Sequence, residues 1–281
     1  MTGINYHTHT LYSDGKNQPY EYVEEAIRLG MTAIGFSDHS PLLFDNPFSI
    51  KNNELGNYAN EIRELQKYYS DKIEIFLSLE MDFIPGMSEN FQQLKERVGL
   101  DYVIGSVHLV GKDKQDNLWF TDGPDPAIYD QGLFDFYDND IRKAVGAFYN
   151  QTNEMIESQV FDIIGHFDKI KMHNQNRYFL ETEKWYQNNV FETLHLMKQK
   201  GLIVEINTRG IYKKRSDSLY PSGWILHEMK KMHIPVIISS DAHQPSEIQA
   251  EFKRAVETLQ AAGYHEIMWF QQGKWIEKPI L

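Results

Sequence analysis

Along the chain, short runs of β-branched and aromatic residues alternate with longer stretches whose apolar positions recur at helical spacing. The runs at 4–10, 32–38, 73–83, 102–110, 160–168, 202–210 and 235–243 predict strands. The stretches at 19–29, 54–69, 88–98, 135–158, 183–200, 221–232 and 246–262 predict helices. Strand followed by helix, again and again, predicts an α/β fold: a parallel sheet with helices outside it, in one domain across residues 1–281.

Side chains two apart on a strand share a face, so each run divides into an apolar set and a second set. The second set reads Asn5, His7 and His9; Gly35, Ser37 and His39; Ser78, Glu80 and Asp82; Ser106 and His108. It continues as Ile164, His166 and Asp168; Glu205, Asn207 and Arg209; Ser239, Asp241 and His243. Small residues on one face with ionisable ones at the strand exits fit the crowded inside of a barrel that opens onto a site. An open, doubly wound sheet would bury apolar residues on both faces. The expectation is a (β/α) barrel of about seven strands, one fewer than the common eight.

Composition narrows the chemistry. Cysteine is absent, which excludes disulfides, thiolate metal sites and cysteine nucleophiles, so any metal must sit on nitrogen and oxygen. The 28 Lys+Arg against 40 Asp+Glu give a formal charge of −12, which repels a nucleic-acid backbone. The N-terminal residues MTGINYHTHT show no basic leader before an apolar stretch, and no segment reaches membrane-spanning length. The expectation is a soluble, cytoplasmic protein with neither nucleic acid nor membrane as partner.

At the predicted strand exits and the loops beyond them stand His7, His9, Asp14, His39, Glu80, His108, His166, Asp241 and His243. Any one of these histidines alone reads best as a core residue satisfied by backbone. The set does not, because so many imidazoles buried beside carboxylates are poorly solvated without a cation. His-X-His on a strand points two imidazoles the same way, the spacing one divalent ion needs. His173, His195, His227, His233 and His265 lie in predicted loops or helices and read as surface or packing residues, with His173 in a loop that follows the strand of His166 and is long enough to reach the mouth of the site.

The blocks HTHTLYSDG at 7–15, SDH at 37–39, Glu80, SVH at 106–108, GHFD at 165–168 and SSDAH at 239–243 resemble the polymerase-and-histidinol-phosphatase (PHP) superfamily. Within it, EINTRG at 205–210 followed by YPS at 220–222 is most similar to the histidinol-phosphate phosphatases. The resemblance implies a distorted (β/α)7 barrel and a trinuclear centre of divalent Zn, Fe or Mn. It implies that His7, His9, Glu80 and Asp241 hold one metal, Glu80, His108 and His166 a second, and Asp14, His39 and His243 a third. It also implies hydrolysis of L-histidinol phosphate to L-histidinol and phosphate, a step of histidine biosynthesis. The other readings are a phosphoesterase for another small ester, such as a nucleotide or sugar phosphate, and a metal-binding regulatory module without turnover.

Paired metals lower the pKa of a shared water from about 15.7 toward neutrality, so a hydroxide bridging them needs no serine or cysteine nucleophile. Glu80, Asp241, His243 and Arg209 are the expected catalytic groups. Arg209, Lys169, Arg177, Lys213 and Asp168 are expected to touch substrate, with Arg209 favoured as the phosphate clamp because strand parity turns it inward. Lys214 and its neighbours in the KKR run read as a solvated loop face, and Asp38 as a proton donor or a group orienting His39. Trp119, Phe120 and Tyr129 read as either a pocket wall or a stabilising cap.

Overall fold

The computed structural model describes residues 3–111 and 117–280. The chain opens with β1 (Ile4–Asn5), α1 (Pro19–Arg28), β2 (Ala33–Phe36), α2 (Leu55–Tyr68) and β3 (Glu74–Asp82). It continues with α3 (Phe91–Val98), β4 (Tyr102–Ser106), β5 (Leu109–Val110), β6 (Trp119–Phe120), α4 (Pro126–Tyr137) and α5 (Ile141–Ser158). There follow β7 (Ile163–Ile164), α6 (Lys184–Lys200), β8 (Ile203–Asn207), α7 (Arg209–Tyr212), α8 (Gly223–Lys231) and β9 (Val236–Ser239). The last elements are α9 (Phe252–Ala261), β10 (Glu266–Gln271) and β11 (Lys274–Pro279).

Seven strands pair in the order β1-β2-β3-β4-β7-β8-β9, and every pairing is parallel. The two ends of this sheet meet. Thr8 and Ala242 form a parallel bridge, in which the His9 amide donates to the Ala242 carbonyl at 2.8 Å. The sheet is thereby nearly closed as a seven-stranded α/β barrel, with the helices around it. Closure falls just beyond the regular parts of β1 and β9, and so it carries His7, His9, Asp241 and His243 to one another.

Several strands are shorter than their apolar runs predict, because chain leaving the barrel turns toward the site. The run at 102–110 is cut after Ser106, and Leu109–Val110 pairs antiparallel with Trp119–Phe120 in a separate hairpin. The helix expected over 135–158 is two helices, because Asp138 and Asn139 take left-handed backbone (φ 51° and 62°) and break it. Asp140 then restarts the chain by accepting the Lys143 amide at 3.2 Å. The helix expected from 246 begins only at Phe252.

The β10–β11 hairpin lies outside every predicted element. It packs Phe270 and Trp275 against Tyr6 and Tyr102, with ring centroids 4.9–5.9 Å apart across Tyr102–Phe270, Tyr102–Trp275, Tyr6–Trp275 and Phe270–Trp275. Tyr102 also explains Gly35, since a Cβ there would lie 1.9 Å from the tyrosine hydroxyl. Among the described residues no helix is long and apolar enough to cross a membrane.

Candidate metal centre and active site

Glu80 is the hub of the barrel's polar end. It is buried on β3, and its two oxygens face different imidazoles. Oε2 lies 3.2 Å from His7 Nε2, 3.1 Å from His39 Nδ1 and 3.5 Å from His9 Nε2. Oε1 lies 3.0 Å from His166 Nε2 and 3.5 Å from His108 Nε2, and accepts the Ser106 hydroxyl at 2.6 Å. Asp241 Oδ1 approaches His9 Nε2 at 3.3 Å, while Asp14 stands 3.2 Å from His243 Nε2 and 3.9 Å from both His39 and His9. The structure thus brings together all nine side chains that the sequence places at the strand exits.

The residues fit metal ions. His7 Nε2, both ring nitrogens of His9, His39 Nδ1 and Glu80 Oε2 are buried without a hydrogen-bond partner, although each faces the others across a few ångström. Buried polar atoms are normally satisfied, and donor sets of this kind are satisfied by a cation. Three groups have donor atoms close enough for one ion each: His9, Asp14, His39 and His243; His7, His9 and Asp241; and His39, Glu80 and His108. His39 belongs to two of them, with Nδ1 toward Glu80 and Nε2 toward Asp14.

Electrostatics agree. Burial opposes charge on His108, yet Asp122, Asp82 and Glu80 hold its pKa up at about 10. His7 is likewise held well above the ordinary value, against burial, by Glu205, Glu80 and Asp241. His9 is driven well below it by burial and by the neighbouring His243 and His39. Carboxylates that favour charge on some imidazoles, beside others that burial and like neighbours hold against it, make a field suited to cations.

Behind several imidazoles stands a second polar group. His7 Nδ1 donates to Glu205 in a very short contact, and Glu205 also accepts the Ser239 hydroxyl and, at 2.9 Å, the His166 amide. Asp82 lies 3.3 Å from His108 Nδ1 and accepts the His108 amide at 3.1 Å. Asp38 does not touch His39's ring. It accepts from the Thr10 amide at 2.7 Å and the Ser13 hydroxyl at 2.6 Å, and so holds the loop that carries Asp14. Burial raises the Asp38 carboxyl to about 6 against those donors.

A cavity of about 330 Å³ opens over this cluster. Arg209, Lys169 and Lys213 line it, as expected from the sequence; so do Arg215, which the KKR run placed on a solvated loop face, and Lys16, which sequence reasoning passed over. Lys169 is buried with Nζ 2.7 Å from Asp122; burial lowers its pKa, but Asp122, Asp241 and Glu80 together hold it above the ordinary lysine value. Lys213 pairs with Glu247. Phe48 and Phe120 stack at 5.8 Å on one wall.

Other expected contacts lie elsewhere. Arg177 is outside the cavity lining, with its guanidinium forked onto Asp130 at 2.8 and 2.9 Å. Asp168 is fully buried behind the site and accepts from Lys171 at 2.7 Å and the Ser222 amide at 2.9 Å. Trp119 and Tyr129 pack on each other in the core, whereas Phe120 reaches the cavity. His173 is buried and meets the Gly123 carbonyl at 2.7 Å; His195 meets the Phe191 carbonyl at 2.6 Å on the surface of α6.

Arg209 enters the cavity for a reason other than parity. β8 ends at Asn207, and Arg209 is the first residue of α7; the Asn207 side chain accepts its amide at 2.8 Å and turns the chain. The strand expected to run to 210 therefore stops short, and the guanidinium arrives from the helix.

The PHP domain profile matches residues 5–209, nearly three-quarters of the chain. The chain belongs to the PHP domain family. Its relatives include a protein of Deinococcus radiodurans named as a probable histidinol-phosphatase, 29% identical over 94% of this chain and 95% of that one. The histidinol-phosphatase of Lactococcus lactis is 27% identical over 96% of this chain and 95% of its own. Among solved structures, a Listeria monocytogenes protein superposes with a TM-score of 0.78 at 19% identity, covering 89% of this chain and 99% of that one. The Lactococcus lactis histidinol phosphate phosphatase, solved with zinc, L-histidinol and phosphate, superposes with a TM-score of 0.69 at 23% identity over 97% and 98%. These likenesses share the PHP barrel with the present fold.

Proposed function

We propose that this protein is a metal-dependent phosphomonoesterase that hydrolyses L-histidinol phosphate to L-histidinol and phosphate, acting in the cytoplasm. The observation that carries the reading is Glu80, whose two oxygens each face their own imidazoles at 3.0–3.5 Å beneath a cavity edged with cations. Relatives matched over almost their whole length bear the histidinol-phosphatase name, which supports the substrate.

Three divalent ions, Zn, Fe or Mn, would be held by His7, His9, Glu80 and Asp241; by Glu80, His108 and His166; and by Asp14, His39 and His243. Nitrogen and oxygen donors without thiolate suit these metals. Such ions supply an ionised water at neutral pH and offset charge on a phosphoryl group. The chain's own residues do the rest. Arg209 and Lys169 present cations toward the same cavity and hold phosphoryl oxygens as charge builds on them. Asp122 keeps Lys169 in place, and Phe48 and Phe120 close one side against water. Glu205 and Asp82 keep His7 and His108 turned inward.

A substrate panel tests the reading: phosphate release from L-histidinol phosphate, nucleoside monophosphates, sugar phosphates and an aryl phosphate, by protein supplied with Zn²⁺ or Mn²⁺. Histidinol phosphate should lead by a wide margin in kcat/KM. A clear preference for another ester would move the substrate while leaving the metal centre intact, and no turnover of any ester would leave a binding module.

A further inference from the structure

Beside the polar end of the barrel lies a small apolar cluster separate from the barrel core. Leu42, Ile84 and Leu109 are its buried members, and Phe48 and Phe120 pack on it while staying partly exposed. Leu42 and Phe48 come from the loop after β2, Ile84 from the loop after β3, and Leu109 and Phe120 from the β5–β6 hairpin. Three excursions of the chain thus share a core of their own at the mouth of the barrel.

The two aromatic residues of this cluster line the cavity. Their rings stack with centroids 5.8 Å apart and planes 11° off parallel. Pro47 and Pro124 line the cavity with them, and the rest of the lining is mainly charged or imidazole-bearing. Both rings are tied to the polar cluster through backbone. The Asn46 side chain accepts the Phe48 and Ser49 amides at 3.1 and 2.8 Å, and the Ile50 amide donates to the His39 carbonyl at 3.0 Å. Thr121, next to Phe120, donates its amide and its hydroxyl to the His108 carbonyl at 2.9 and 3.0 Å. Phe48 also meets the His39 ring edge to face at 5.5 Å. The aromatic wall therefore stands at a set distance from the groups proposed to hold the reacting phosphate.

At about 330 Å³ the cavity is at the small end of ligand sites, charged on one side and flat and apolar on another. That division suits a short phosphate ester whose far end is a flat ring, because rings gain from aromatic faces beyond the area they bury. We propose that Phe48 and Phe120 receive the ring of the ester and so decide which phosphomonoester is hydrolysed fastest. This rests on the histidinol phosphate reading above, in which that ring is the imidazole. The phosphoryl end lies with Arg209 and Lys169, the ring lies against Phe48 and Phe120, and the aminoalkyl chain spans the distance between. An ester without a ring keeps the phosphate contacts and forfeits the wall.

The test compares L-histidinol phosphate with L-alaninol phosphate, the same aminoalkyl ester without a ring, in steady-state kinetics of protein supplied with Zn²⁺ or Mn²⁺. Calorimetry with L-histidinol and with inorganic phosphate reads binding of the two ends separately. Phe48→Leu keeps apolar bulk and removes the flat face. Its loss of kcat/KM on histidinol phosphate should exceed its loss on alaninol phosphate about tenfold, mostly through KM, the loss expected from one stacked ring. L-histidinol should bind more weakly by a similar factor, with phosphate affinity and metal content little changed. Phe48→Tyr, which keeps the ring, should restore most of the preference. Equal losses on both esters, equal weakening of L-histidinol and phosphate, or no recovery in Phe48→Tyr would each overturn the assignment and leave Phe48 as packing alone. A wild-type protein that prefers a nucleotide or sugar phosphate would instead overturn the histidinol phosphate reading, and that result is visible before any variant is made.

Discussion

The Ser106 hydroxyl donates to Glu80 Oε1 at 2.6 Å, and this one contact fixes which way the central carboxylate of the barrel faces. It also dictates glycine at 165, just past the end of β7, where a Cβ would lie 2.3 Å from that hydroxyl oxygen. Ser106→Ala removes the pin and leaves Glu80 free to turn. The ion proposed for Glu80, His108 and His166 should then bind roughly 10-fold more weakly or worse, the usual cost of losing an outer partner of a metal ligand. Competition with a chelator, followed by elemental analysis, measures it. Unchanged retention of all ions would mean that the imidazoles alone orient Glu80.

Much of this centre was legible in the sequence, because period-two alternation survives even where regular pairing does not. His7 and His9 lie beyond the two paired residues of β1, yet they keep the inward face that alternation assigns. Arg209 shows where that logic ends: it lines the cavity, but it projects from α7 after the strand has stopped. Asp122 and Phe48 sit in loops with no period to read. The β10–β11 hairpin turns through Gln272 and Gly273, both at positive φ (51° and 74°). A glutamine where asparagine or aspartate is usual concealed that turn.

Glu80→Gln should remove two ions together. An amide carries no charge and offers one acceptor oxygen, so the set facing the NH₂ meets the wrong polarity and the set facing the oxygen loses the negative charge that draws an ion. Bound metal should fall by more than one ion per chain and phosphate release should be lost. A variant lacking a single ion, with the rest retained at wild-type affinity, would contradict a bridging role.

Glu205→Gln acts without touching an ion. The buried carboxylate accepts from His7 on one oxygen and from the His166 amide on the other, and both are donors. Glutamine must present its NH₂ to one of them, so either His7 turns or the backbone at His166 shifts. Metal affinity should drop roughly 10–100-fold with the barrel intact. Chelator competition reads the loss, and far-UV circular dichroism checks the fold.

Lys169 and Asp122 are predicted to be worth more as a pair than their separate removals suggest. Both are buried, and they meet at 2.7 Å where the cavity joins the His108 wall. Lys169→Met leaves the buried Asp122 with His108, 3.9 Å away, in place of its 2.7 Å partner, and breaking such a buried pair typically costs up to about 3–5 kcal/mol. Asp122→Asn leaves the buried ammonium with Asp241 at 3.8 Å as its remaining partner and should cost somewhat less. The double variant Lys169→Met, Asp122→Asn removes both charges, so denaturant midpoints should show it more stable than Lys169→Met alone. Its phosphatase activity should stay low, because a cation proposed to hold the phosphate is gone. Additive losses of stability would mean that the two charges do not depend on each other. Full activity in the double variant would move phosphate binding wholly onto Arg209 and its neighbours.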